Sequence, residues 1–243
     1  MNTVIIYGAL SGLSLILGAI VGVFFNLKRK TIAAFMAFGS GVMICALTFG
    51  LMEKAFEHGG FDAIIIGFLL GGLVFIGIDY LLHYFGGRKH KYHQQIAPKK
   101  DSDGALITIG AILDGIPESI ALGIAIFAGQ GLGILMLAAI FLSNFPESIS
   151  SVNGLKKEGF KKSQIFWLWL LVGISMTIVV VLSYVFLRHL DPNTLGILES
   201  FAAGAILAML ADSMIPEAYK EGGFTVAILT IFGFLAAFIL SRF

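Results

Sequence analysis

Apolar residues run along this chain in long stretches, each ended by Gly, Pro or charged positions, and each close to the roughly 20 residues a helix needs to cross a bilayer core. The pattern predicts eight membrane-spanning helices at 3–26, 31–52, 61–82, 104–128, 131–153, 164–187, 194–215 and 224–241. Gly129-Gln130-Gly131 is a very tight connection between the fourth and fifth. The first stretch is expected to be a span and not a secretion signal. It exceeds the roughly 7–15 residues of an h-region and has no basic residues before it.

Composition agrees with lipid as the solvent. Of 243 residues, 58% are hydrophobic and 13% charged, against about 25% charged in a soluble domain, and mean hydropathy is +0.94. A net charge of +1 gives no footprint for nucleic acid, and the single Cys45 excludes an internal disulfide or a Cys-rich metal site.

The placement of charge is more informative than its amount. Thirteen of the sixteen basic residues fall in the loops after odd-numbered spans: Lys28, Arg29, Lys30; Arg88, Lys89, Lys91, Lys99, Lys100; Lys156, Lys157, Lys161, Lys162; and Lys220. Cytoplasmic loops carry such an excess, so the chain is expected in the cell membrane with both termini extracytoplasmic.

The chain also resembles itself. At an offset of 163, Phe38 to Phe61 aligns with Phe201 to Phe224 without a gap, and both copies end in Gly-Gly-Phe. Under the charge assignment the copies run in opposite directions, as in carriers built from inverted repeats. The expected organisation is therefore all-α, three plus two plus three helices: a first repeat at 1–82, a basic loop at 83–103, a central pair at 104–153, a second loop at 154–163, and a second repeat at 164–243.

Candidate chemistry lies on the central pair. Leu113-Asp-Gly-Ile-Pro-Glu-Ser-Ile120 and Leu142-Ser-Asn-Phe-Pro-Glu-Ser-Ile149 repeat one motif. Carboxylates at mid-membrane cost at least about 2.5 to 3.5 kcal/mol and mark pathways or partners. Asp114 and Glu118 are four apart and share a helix face, as do Ser143 and Glu147, with Asn144 beside them. Counted from the 129–130 turn, 114–118 lies roughly 15 to 21 Å deep and 143–147 roughly 18 to 24 Å. Pro117 and Pro146 free the carbonyls of Leu113 and Leu142. An oxygen-rich site for a divalent cation as substrate is the predicted outcome, with no organic cofactor. Helix glue through buried, protonated acids and a proton relay are the competing readings.

These motifs resemble the ZIP (Zrt/Irt-like) metal transporters, whose eight spans are arranged three, two, three. Pro117, Glu118, Pro146 and Glu147 match their transport-site signature, and Gly204 to Asp212 followed by Ile215-Pro-Glu217 looks like their seventh span. The resemblance implies a secondary transporter carrying metal into the cytoplasm, with Asp114, Glu118, Ser143, Asn144 and Glu147 as ligands. Asp212 and Glu217 would lie on the metal path. His90 and His93 would join it from the 83–103 loop, where the family often has a histidine-rich segment; histidines among Lys and Gln also describe a solvated loop.

Both family histidines are replaced here, by Asp114 and Ser143, the span-4 asparagine is Gly115, and the span-6 acid falls on Met176. One metal site is therefore expected in place of two. All five histidines are assigned outside the spans, and oxygen donors shift preference from zinc toward manganese, iron(II) or magnesium, with zinc still compatible. A non-transporting metal sensor and an intramembrane hydrolase are the alternatives. No His-Glu-x-x-His or Gly-x-Gly-Asp accompanies the acids, so an enzyme is not expected. The expected partners are the metal and the bilayer, with a homodimer left open.

Overall fold

A computed structural model describes residues 1–86 and 104–242. Among them the chain is helical, without strands: α1 (Asn2–Phe24), α2 (Arg29–Ala46), α3 (Glu53–Gly86), α4 (Gly104–Ala128), α5 (Gln130–Lys157), α6 (Lys162–Leu187), α7 (Pro192–Met209), α8 (Ile215–Gly222) and α9 (Thr225–Leu240). Two π-helical segments, Leu47–Met52 and Leu210–Met214, join α2 to α3 and α7 to α8 without interruption. In lipid no solvent satisfies a free backbone group, so a helix carrying its own hydrogen bonds is the favoured form for these apolar runs.

Six helical stretches are long and apolar enough to cross a membrane among the described residues, and Thr225–Leu240 is apolar but shorter. The eight separate spans expected from hydropathy thus do not all appear as separate helices. The main reason lies at 53–60: where the sequence suggests a polar connection, helix continues, and Arg29–Leu82 forms one stretch of 54 residues. Its break is a single residue, Gly60, with φ 63° and ψ −158°. A side chain is rarely tolerated there, which makes glycine the residue of choice for the kink.

Gly223, 163 positions later, has φ 58° and ψ −141° between α8 and α9. The π segments begin at Leu47 and Leu210, the same offset apart. Packing follows nearly the same relation, with the paired positions on α2 and α7 163 apart and those on α3 and α9 162 apart. A Cβ on Gly71 would overlap the Phe201 carbonyl, and one on Gly233 the Phe38 carbonyl; Gly204 meets the Phe68 carbonyl as Gly41 meets that of Thr230. These contacts seat α3 on α7 and α9 on α2. Small residues let backbones approach where lipid provides no hydrophobic drive between helices. Interhelical bonds support the same pairs: Ser200 Oγ donates to Ala63 O (2.8 Å) and Thr230 Oγ1 to Ala37 O (3.1 Å).

The outward faces are apolar at helical spacing. Ile65, Leu69, Leu73 and Ile76 on α3, and Trp167, Leu171, Ile174 and Ile178 on α6, are all exposed. In water such stripes would be a liability, whereas a bilayer covers them. The interior holds α4 and α5, which pack on each other and are flanked by α1, α2, α6 and α7. Gly129, with φ 148°, makes the turn between them.

Candidate cation site between the proline-bearing helices

α4 and α5 remain helical through Pro117 and Pro146. Each proline lacks the N–H that would reach back four residues. The carbonyl freed at Leu142 packs against the backbone of Gly39 on α2: a Cβ there would lie 2.7 Å from it. The oxygen expected as a ligand therefore also marks where α2 seats on the central pair.

Asp114, Glu118, Ser143 and Asn144 are all buried, whereas Glu147 is half-buried. Glu118 is 2% exposed and is the junction of the two helices. Ser143 Oγ on α5 shares its hydrogen between Glu118 Oε1 at 3.1 Å and the Ile140 carbonyl of its own helix at 3.0 Å. Asn144 flanks the same carboxyl, and the charges of Glu147 and Asp114 act on it. Its second oxygen, Oε2, is buried with no hydrogen-bond partner. A buried carboxylate oxygen left unbonded is costly, and a cation or proton on that side would satisfy it.

Among the described residues, no three His, Cys, Asp or Glu side chains gather into a metal-holding group. The acids expected to converge do not form a cage by themselves, and Ser143 and Asn144 are the side chains placed directly on Glu118. Such a donor set is neutral and acidic oxygen, suited to hard cations.

Farther along α5, Ser150 Oγ donates to Glu217 Oε1 on α8, one turn past Glu147. Glu217 and Asp212 are both half-buried, Asp212 within the π segment that precedes α8. Along α5, Ser143 at Glu118, then Glu147, then Ser150 at Glu217 follow one another toward the end that carries Lys156 and Lys157. His90 and His93 lie outside the described residues.

Two features were not read from the sequence. Met176 of α6 lies over Gly115, where a Cβ would overlap its Cε and Sδ, and Ser119 Oγ donates to its Sδ at 3.3 Å. Two of the four positions that depart from the ZIP pattern are thus neighbours, and the thioether fills the room that Gly115 leaves. The second feature is His58, assigned to a loop from hydropathy. It lies inside the Arg29–Leu82 stretch and its Nδ1 is 2.8 Å from Glu199 Oε2 on α7. The available signal was Glu199 itself, the single ionisable residue of 192–209.

The architecture is that of an all-helical, multi-pass membrane protein. No family model matches the chain. Over 208 residues it is 23% identical to an Arabidopsis thaliana protein named "Putative zinc transporter", a match covering 84% of this chain and 33% of that protein. The chain thus spans about a third of that relative's length.

Proposed function

We propose that the chain is a ZIP-like secondary carrier that moves a divalent metal cation toward the cytoplasm, using α4 and α5 as the ion-bearing pair. In this reading eight spans form an inverted repeat arranged three, two, three, with 1–82 and 164–243 as related halves and 104–153 between them. The matched positions of the Gly60 and Gly223 kinks, the two π segments and the reciprocal glycine contacts support it. The short α9 and the half of α3 beyond Gly60 would complete the count.

Glu118 and Glu147 are the primary ligands, with Asp114, Ser143 and Asn144 completing an oxygen shell and Asp212 and Glu217 on the way out. The observation that carries the reading is Glu118: deeply buried, bonded across the helix pair through one oxygen, with the other unpartnered. Met176 over Gly115 favours one metal over two, since an apolar thioether occupies the adjoining space. Carboxylate, amide and hydroxyl donors favour manganese, iron(II) or magnesium, while the name of the plant relative favours zinc.

Competitive uptake into proteoliposomes, read by elemental analysis, tests both parts. Metal entry lost in a Glu118→Ala, Glu147→Ala double variant is expected. Wild-type uptake by that variant overturns the site, and a strong preference for zinc and cadmium over manganese overturns the hard-ion reading.

A further inference from the structure

We propose that His58 and Glu199 form a proton-binding site, distinct from the cation site, that ties the Arg29–Gly59 helix to α7 at the end of the molecule where α4 turns into α5. The location follows from Gly50, two turns before His58, which packs on Leu132 just after that turn.

Glu199 is fully buried, with 0% exposure. Its Oε2 meets His58 Nδ1, while its Oε1 is buried without a hydrogen-bond partner. An ionised carboxylate accepts, so Nδ1 carries the hydrogen and donates. The incoming proton then lands on Nε2 of a ring whose side chain is 29% exposed, which gives it a route from outside. The resulting imidazolium neutralises a carboxylate that otherwise has a single donor in an apolar interface. Removing the compensating partner of a buried charge is strongly destabilising, so protonation tightens the contact and deprotonation loosens it.

Few other charges face the pair. On the same helical stretch Lys54 Nζ is held by Glu57 Oε2 at 2.5 Å, and both act on Glu199. Glu53 and Asp62 on that stretch are exposed. Of the facing elements, α7 and the 47–52 segment contribute no ionisable group besides Glu199 itself, α4 carries Asp114 and Glu118 of the cation site, and Asp191 caps α7 two residues before Asn193, whose Oδ1 lies beside Gly59. Two donors are too few for a metal, and no third His, Cys, Asp or Glu among the described residues completes a metal-holding group there. A proton needs only one acceptor.

At its Arg29 end the same helix carries a contrasting tie, to α8, which continues α7 through the Leu210–Met214 segment. Arg29 Nη1 meets Glu221 Oε1 at 2.9 Å, with side chains 59% and 28% exposed. Residues 58 and 221 are 163 positions apart, the offset that relates the two copies. One end is thus held by a solvated arginine pair, and the other by a part-exposed histidine on a fully buried carboxylate. Acidification therefore closes one end of the pair and leaves the other unaffected.

The proton site is read without metal, and only its link to flux rests on the carrier proposal. The test uses the full chain in nanodiscs, metal-free, with Cys45→Ala and spin labels at Glu53→Cys and Asn193→Cys. Pulsed distance measurements are expected to show a narrow distribution at pH 5.5 and a broader one at pH 8. His58→Gln and Glu199→Gln should remove the pH response, and His58→Arg should hold the narrow form at both values. A wild-type distribution that ignores pH, or a response that survives in His58→Gln, overturns the proposal. In proteoliposomes, metal uptake whose pH response is lost in His58→Gln supports it, and uptake with the response intact overturns it. Absence of uptake at every pH overturns the carrier reading, while the distances continue to decide the proton site.

Discussion

The two Pro-Glu motifs share the tetrapeptide Pro-Glu-Ser-Ile and adjacent positions in the core, yet they are not equivalent. Glu118 on α4 is buried, bonded to Ser143 and flanked by Asn144, both from α5. Glu147 on α5 is half-buried and lies one turn before Ser150, whose hydroxyl goes to Glu217. α5 supplies Ser143 and Asn144 to the acid of α4, and in the motif of α4 the positions that correspond to them are Asp114 and Gly115. A duplicated motif is thus held differently in its two copies, because the residues before each proline differ, and in the proposed carrier Glu118 would bind while Glu147 passes the ion on.

The comparison breaks first at the acids. Glu118→Gln is expected to weaken divalent-cation binding by more than about 100-fold, beyond the roughly 10- to 100-fold loss typical of residues that only support a ligand. Glu147→Gln should cost less in equilibrium binding and more in transport rate. Isothermal titration beside tracer flux separates the two, and equal losses in both variants would remove the distinction.

Supporting donors come next. Ser143→Ala removes the hydroxyl on Glu118 Oε1 and is expected to lower affinity about tenfold. Ser148→Ala is the matched control, since both hydroxyls reach a carbonyl three residues back in their own helix but only that of Ser143 also reaches Glu118; it should leave binding unchanged. A similar loss in both would mean that helix stability, not ligation, is being measured.

Packing beside the site gives a smaller effect. Gly115→Ala forces a methyl into the Met176 thioether and should cost about 1 to 3 kcal/mol by overpacking. Adding Met176→Ala should restore much of it in thermal unfolding of detergent-solubilised protein. No recovery in the double variant would place the strain elsewhere.

The smallest expected change lies outside the membrane core. Asp191 caps α7 by accepting from Thr194 N at 3.0 Å, and its hydrogen bonds with Thr194 hold its carboxyl below the ordinary value. A group with a depressed folded value stabilises above its unfolded value, about 3.9, and that gain is lost as pH falls through the lower folded value. Asp191→Asn should therefore lower the unfolding temperature slightly at neutral pH and make no difference in strong acid.

Much of this molecule is legible one residue at a time. Apolar runs predict helices because lipid leaves backbone groups no other partner, and the four-residue spacing of Asp114 and Glu118 places them on one face. The 163-residue offset was visible as seven identities, and it recurs in the kinks at Gly60 and Gly223. Helix boundaries were less legible: Glu53 to Gly59 reads as a polar loop, yet it extends a helix whose backbone at Ala55 and Gly59 packs on Gly196 of α7.

Sequence alone determined that this chain is a helical membrane protein, which faces carry its acids, and that a central pair repeats a proline-carboxylate motif. These follow from local periodicity and from the cost of placing charge in lipid. Only the tertiary structure decided that Ser143 reaches Glu118, that Met176 fills the space over Gly115, and that His58 meets Glu199 from 141 residues away. Such contacts depend on helix rotation and crossing, which are set by where small residues let backbones touch, and no single helix's pattern specifies its partner.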